Sequence, residues 1–308
     1  MLAPIILFVY NRLDHTQGVI ETLSKNFLAK ESELYVFSDA AKSENGLEKV
    51  NAVREYIRDI TWHGRFKKVS IIEAENNKGL ANSVIGGVTE IIREYGKVIV
   101  VEDDLLLSPY FLNYMNDALD YYQDDKKIWS ISGYSFPMKS LKKYSHDIFY
   151  SYRGCSWGWA TWDRAWKHFN SDGKALLAEL ESKKLTYTFD FNGKYGFTRM
   201  LRRQIEGKNN SWAIRWNASL FLKNILSLNV GRSLVQNVGF DGSGTNCGGG
   251  DLYASDIYLK KLPIVPISPI EENLQARQAY INYYASTNSF WAKAFRRIKR
   301  TLKGDFGA

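Results

Sequence analysis

The sequence predicts an α/β fold, a mostly parallel sheet flanked by helices. Two observations carry this expectation. Short apolar runs alternate with amphipathic stretches of helical length, the pattern of successive βαβ units. Each apolar run also ends in a cluster of acids, amides or bases, and open parallel sheets bind ligands beyond the carboxyl ends of their strands.

Ile5–Tyr10 reads as the first, buried strand, followed by a helix from about His15 to Asn26. Leu34–Ser38 is a second strand, and the polar loop DAAKSENG leads into a helix over Glu48–Asp59. Val69–Glu73 is a third strand, ENNKG a turn, and Leu80–Tyr95 a helix. Val98–Val101 is a fourth strand, and Pro109–Tyr122 a helix with Ser108 as its N-cap and Pro109 in its first turn. The four strand ends carry YNR (10–12), SDAAKS (38–43), ENNKG (75–79) and EDD (102–104).

Beyond residue 145 the character changes. Tryptophans cluster in CSWGWATWDRAW (155–166), Trp212 and Trp216 bracket WAIRW, and the glycine-rich GFDGSGTNCGGGD spans 239–251. No repeat and no flexible linker separates the parts, and 308 residues suit one large domain or two lobes in close contact. The expected division is a first half (1–145), a second half with the tryptophans and the glycine-rich stretch (146–288) and a basic amphipathic tail (289–308).

The net charge of +8 suggests nucleic acid until it is located. Lys293, Arg296, Arg297, Lys299, Arg300 and Lys303 fall in the tail, and without them the remainder is about +2. A basic stripe across the body is missing, so no nucleic-acid partner is expected. Phe290, Trp291, Phe295, Ile298 and Leu302 lie at helical spacing opposite those bases. Such a helix suits the surface of an anionic membrane, and equally a terminal helix docked on the body with a solvated basic face. Cys155 and Cys247 form neither a zinc pattern nor a disulfide framework, which points to a reducing compartment. The apolar run Leu2–Tyr10 lacks a basic flank and is too short to span a bilayer. A cytoplasmic protein is expected, with peripheral contact at the inner face of the membrane if the tail binds lipid.

The acids at 102–104 need an explanation, because three adjacent carboxylates repel one another. An ordinary solvated strand end would tolerate them. Otherwise a hard, oxygen-seeking cation such as Mn²⁺ or Mg²⁺ would compensate them, bound through one or two carboxylates and substrate phosphates. In an extended segment Glu102 and Asp104 would face one side and Asp103 the other. The four histidines (His15, His63, His146 and His168) are scattered, which argues against zinc.

The segments APIILFVYNRLDHT, VIVVEDDLLLSPYFLNYM and SWGWATWDRAW together resemble bacterial glycosyltransferases of the Rossmann-like GT-A fold, of the glycosyltransferase 2 kind. They are also similar to the N-acetylglucosaminyltransferase I family. The resemblance implies that Asp104 ligates a metal bridging the two phosphates of a nucleotide-sugar, while Glu102 and Asp103 contact ribose and donor sugar. It implies nucleotide contacts from Tyr10, Arg12 and Asp39, with Asn77 and Lys78 lining the same pocket. It further implies donor contacts from Asp241, Ser243 and Thr245 in a closing loop. Trp157, Trp159 and Trp212 become candidates for an acceptor platform, although indoles are more often core. The plainer alternatives are that Arg12 pairs with Asp14, Asp39 starts a turn and Lys78 is solvated.

The family's catalytic base is an aspartate in a W-D-x-x-W segment, but here Trp212-Ala213-Ile214-Arg215-Trp216 carries alanine at that place. Glu206 is the expected base of an inverting reaction, with Asp103 as the other catalytic carboxylate and Asp163 or Asp241 as alternatives. The implied activity is transfer of a hexosyl or N-acetylhexosaminyl group from a UDP-linked donor. The implied acceptor is a glycan hydroxyl, lipid-linked, in bacterial surface polysaccharide synthesis. Competing readings are a sugar nucleotidyltransferase, whose glycine-rich basic loop YNRLDHTQG does not supply, and a carbohydrate- or membrane-binding module without catalysis.

Overall fold

The computed structural model describes residues 1–138, 141, 146–240 and 251–288. The first half contains β1 (Ile5–Val9), α1 (Leu13–Ser24), β2 (Glu33–Ser38), α2 (Leu47–Arg58), β3 (Lys68–Glu73), α3 (Gly79–Tyr95), β4 (Lys97–Glu102), β5 (Leu105–Leu107) and α4 (Phe111–Tyr121). There follow β6 (Ile128–Ser132), β7 (Ile148–Ser151), β8 (Trp159–Trp162), α5 (Asp163–Trp166), α6 (Gly173–Ser182), α7 (Thr186–Phe189) and α8 (Phe197–Ile205). The chain ends its described course with α9 (Trp212–Leu222), β9 (Leu226–Val230), β10 (Val235–Asn237) and α10 (Leu274–Asn288).

Strands from both halves of the chain form one eight-stranded sheet in the order β3-β2-β1-β4-β8-β6-β9-β7. β3, β2, β1 and β4 run parallel, β6 and β9 share their direction, and β8 and β7 oppose it. This is the mostly parallel α/β class expected from the sequence. β5 leaves the sheet and pairs antiparallel with β10 as a small separate ribbon.

Strand period fixes the two faces. Ile5, Leu7 and Val9 of β1 and Ile99 and Val101 of β4 meet Val19, Ile20 and Leu23 of α1, Val53 and Ile57 of α2, and Leu112, Met115 and Leu119 of α4. Ile6 and Phe8 with Val98 and Val100 face the other way, onto Val84, Val88 and Ile91 of α3 and Trp212, Trp216 and Leu220 of α9. Burial on both faces explains why β1 and β4 read as unbroken apolar runs.

Two local expectations change. α1 begins at Leu13, two residues early, with Arg12 as its N-cap residue. α4 begins at Phe111, and Ser108 does not cap it in the expected way. The Ser108 hydroxyl donates to Tyr258 O (2.7 Å) and accepts the Tyr110 N–H (3.3 Å), shaping the turn before the helix. The Leu112 N–H, in the first turn, donates to Asn26 Oδ1 (2.9 Å) from the segment after α1.

Candidate active site

The connections β1–α1–β2–α2–β3 step outward on one side of β1, and α3 carries the chain back to β4 on the other. The order therefore reverses between β1 and β4, and the crevice at their carboxyl ends is the topological switch point of the sheet. Phe8 of β1 is the register partner of Glu102 of β4, so the residues that follow each strand meet above this crevice.

Here the acids and Arg12 come together. Arg12 Nη2 donates to Asp103 Oδ1 and to Asp104 Oδ2 (3.0 Å), and Nε donates to Asp103 Oδ2 (3.3 Å). The expected alternation of side chains fails because Asp103 and Asp104 form a turn between β4 and β5, which brings both carboxylates to one guanidinium. Asp103 and Asp104 are 5% and 7% exposed, and Glu102 retains more exposure. Among the described residues no hydrogen-bond donor reaches the Glu102 carboxylate, and the buried Arg12 Nη1 meets no acceptor. Three carboxylates against one guanidinium leave an excess of two negative charges when all are ionised.

The electrostatics follow from burial. Desolvation raises the Glu102 carboxyl well above the usual range, and the nearby Asp104 and Asp103 raise it further. Asp103 is pushed up to about 6 by burial, with Arg12 pulling in the opposite direction. Burial disfavours the Arg12 charge, yet Asp103 and Asp104 hold the guanidinium more firmly protonated than usual.

Two residues of this site were not anticipated. Asn237, at the end of β10, donates from Nδ2 to Asp104 Oδ1 (3.4 Å) and accepts the Gly239 N–H on Oδ1 (2.9 Å). The Val238 N–H donates to Asp104 O (2.8 Å). A Cβ on Gly239 would lie 2.3 Å from Asp104 Oδ2, so only glycine lets this strand end approach the carboxylate so closely. The short Asn-x-Gly after the β10 run was the available sequence signal, but the pairing of β10 with β5, 128 to 132 residues away, was not readable.

The other strand ends form a second polar group. Asp39, after β2, accepts the N–H groups of Lys78 (2.9 Å) and Gly79 (2.8 Å) and an Asn77 Nδ2 hydrogen (3.1 Å). Asn77 also donates to Ala40 O (2.7 Å), and the Lys42 N–H donates to the Tyr10 hydroxyl (3.2 Å). Asp39 thus holds the start of α3 through its backbone donors, a bond set that leaves the exposed Lys78 side chain uninvolved.

The tryptophans divide. Trp159 is fully buried and stacks on Trp212 (centroids 5.1 Å apart) in the core between the sheet and α9, so neither can act as an acceptor platform. Trp157 is half-buried beside Tyr134, Tyr253 and Phe240, next to Gly239 and hence near the acidic turn. Asp163 is displaced from the site: its N–H donates to Gly96 O (2.8 Å), at the amino end of β4. Glu206 is exposed and paired with Lys208 (2.7 Å), which lowers its pKa, and α8 packs on α6, α7 and α9. None of these contacts leads to the acidic turn. Asp241, Ser243, Thr245 and the tail at 289–308 lie outside the described residues.

Among the described residues no three His, Cys, Asp or Glu side chains form a ready-made cation cage, and no helix is long and apolar enough to cross a membrane. No family model matches the chain, and no curated protein matches it. Among solved structures it is similar to S. aureus TarS, at 17% identity over 44% of this chain and 22% of that one, with a TM-score of 0.33. TarS 1–349 in complex with UDP gives 17% identity over 46% and 40%, with a TM-score of 0.34. The mannosyltransferase PcManGT from Pyrobaculum calidifontis, in complex with GDP-Man and Mn²⁺, gives 11% over 72% and 68%, with a TM-score of 0.42. The chain spans well under two thirds of the length of TarS.

Proposed function

We propose that the chain is a metal-dependent glycosyltransferase that moves a sugar from a nucleotide-sugar to a hydroxyl group of a glycan acceptor. The observation that carries this reading is the acidic turn at the switch point, where Asp103 and Asp104 pair with Arg12 from the start of α1 and Glu102 lies close to all three. Buried carboxyl groups, one of them without a hydrogen-bond donor from the described residues, beside a guanidinium nitrogen without an acceptor among them, suit a divalent cation bearing anionic oxygens. Mn²⁺ or Mg²⁺ needs only one or two protein carboxylates when phosphates supply the rest, so the donor set fits without a larger cage.

In this reading Asp104, fixed by Arg12 and Asn237, is the metal-ligating carboxylate. A bound cation would act as a Lewis acid on the diphosphate leaving group. Arg12 binds phosphate oxygen, and Glu102 and Asp103 orient ribose and donor sugar. Tyr10, Asp39, Asn77 and Lys78 shape the base pocket, Asp39 chiefly by fixing the backbone around it. Asp103 is better supported than Glu206 as the catalytic carboxylate. It lies in the acidic turn, and a pKa of about 6 suits proton acceptance near neutrality. Residues 1–145 then form the donor half, 146–288 the acceptor half with Trp157 at its edge, and 289–308 the segment for an anionic membrane bearing a lipid-linked acceptor. A UDP-linked donor, inversion and a place in surface polysaccharide synthesis complete the proposal.

The test is a thermal-shift panel of UDP, GDP and their sugar conjugates, with and without Mn²⁺. A nucleotide-dependent rise in Tm that needs Mn²⁺ and disappears in Asp104→Asn is expected. The absence of a shift with any nucleotide would sink the proposal.

A further inference from the structure

Arg12 binds two carboxylates and still has donor capacity left. Nη2 and Nε serve Asp103 and Asp104, while Nη1 is buried without an acceptor among the described residues. Beside it the Glu102 carboxylate has no hydrogen-bond donor from the described residues. The cluster is short of an anion at the guanidinium and of a cation at the carboxylates, in the same place. A lone anion would satisfy Nη1 but repel the carboxylates, and a lone cation would compete with Arg12 for Asp104. A divalent cation carrying an anionic oxygen satisfies both.

The two ends of the Arg12–Asp104 pair are not equally free. Asp104 is held from the other side by Asn237 Nδ2 and covered by Gly239. The Arg12 backbone is fixed at the start of α1, where its carbonyl accepts the N–H and hydroxyl of Thr16 (2.9 Å each). Its guanidinium, in contrast, sits on a flexible aliphatic stem. If one partner moves, it is the guanidinium.

We propose that Arg12 is an exchangeable counter-ion, bound to Asp104 when no cation is present and transferred to an anionic oxygen of the diphosphate when a cation takes Asp104. Divalent cation and nucleoside diphosphate then bind cooperatively through this one side chain. The inference rests on the nucleotide-sugar reading above. Linkage makes the effect reciprocal: the factor by which nucleotide tightens the cation is the factor by which the cation tightens nucleotide.

The test is calorimetric titration of the 308-residue chain with Mn²⁺ alone, with UDP alone and with each in the presence of the other, GDP being run in parallel. Wild type, Arg12→Gln and Arg12→Lys are compared. Wild type is expected to show coupling of about 100-fold, within the range of such effects. Arg12→Gln is expected to bind Mn²⁺ alone about tenfold more tightly, because its competitor for Asp104 is gone, and nucleotide less tightly. Its coupling should fall to about tenfold, the part due to direct phosphate coordination by the cation. Arg12→Lys keeps the charge without the fork and should lie between the two. If circular dichroism shows Arg12→Gln unfolded, the drop in coupling from wild type to Arg12→Lys decides the matter. Unchanged coupling, or Mn²⁺ binding no tighter than wild type in Arg12→Gln with Mn²⁺–nucleotide binding retained, overturns the counter-ion role and leaves the nucleotide-sugar reading intact. Failure of the wild type to bind Mn²⁺ with either nucleotide overturns both.

Discussion

Gly239→Ala places one methyl group against the residue on which the proposed function most depends. The added carbon would lie 2.3 Å from Asp104 Oδ2 and 3.0 Å from its Cβ and Cγ, about 1 Å inside ordinary contact. Asp104 cannot retreat freely, because Oδ2 accepts from Arg12 at 3.0 Å and Oδ1 from Asn237 at 3.4 Å. Either the β10 end shifts or the carboxylate turns and gives up the Arg12 contact. Overpacking costs about 1–3 kcal/mol, and loss of a charge-assisted hydrogen bond about 1.5–3 kcal/mol. Partial relaxation of each gives an expected loss of about 2–4 kcal/mol. Urea unfolding measures this directly, and calorimetry with Mn²⁺ and UDP is expected to show binding reduced at least about tenfold, since about 1.4 kcal/mol of distortion suffices for that. Gly86→Ala in α3 is the control, because open space surrounds its added carbon and a helical Gly→Ala change should stabilise by about 0.5–1 kcal/mol. Wild-type stability and wild-type binding in Gly239→Ala would refute the close approach of the β10 end to Asp104.

Three further outcomes are expected. Asp39→Ala frees the N–H groups of Lys78 and Gly79 and should cost about 1–2 kcal/mol in urea unfolding, as loss of a helix cap does; an unchanged midpoint would contradict the anchoring role. Trp212→Ala should cost about 3–5 kcal/mol by opening a cavity against Trp159, and near-wild-type stability would show that the indole is not a core residue. Asp103, raised to about 6, binds a proton in the folded state over the interval from about pH 4 to 6 in which the unfolded chain has released it, so its contribution to stability falls as pH rises through that interval. With EDTA present, the stability of Asp103→Asn relative to wild type should therefore improve by roughly 2 kcal/mol from pH 4 to 6 and stay level above, whereas a difference independent of pH would contradict the shift.

The parallel half of the sheet was legible because its central strands β1 and β4 are buried on both faces and its helices show a clear apolar stripe. The acidic cluster was legible too, since Glu102, Asp103 and Asp104 stand where an apolar run stops without a capping need to explain them. The partner of that cluster was harder to identify. Local sequence offered Asp14 to Arg12, and only the β1–β4 register brings the arginine to Asp103 and Asp104. The turn at Asp103–Asp104 defeated the two-residue period, because alternation of side chains holds only while the strand continues. The tryptophans could not be sorted by type or spacing: Trp157 and Trp159 are two residues apart, yet one lies near the site and the other is sealed against α9. The approach of Asn237 and Gly239 to Asp104 was not readable, because long-range pairing of β5 with β10 alone brings them there.

If Asp104 holds a divalent cation for a nucleoside diphosphate, anomalous scattering at the manganese edge from crystals grown with Mn²⁺ and UDP locates that ion. The expected result is one strong peak about 2.1 Å from an Asp104 oxygen, with diphosphate oxygens completing the coordination and Arg12 turned onto them. A manganese peak remote from the acidic turn, or diphosphate bound there with Arg12 still on Asp104 and no manganese, would rule out Asp104 as the metal ligand.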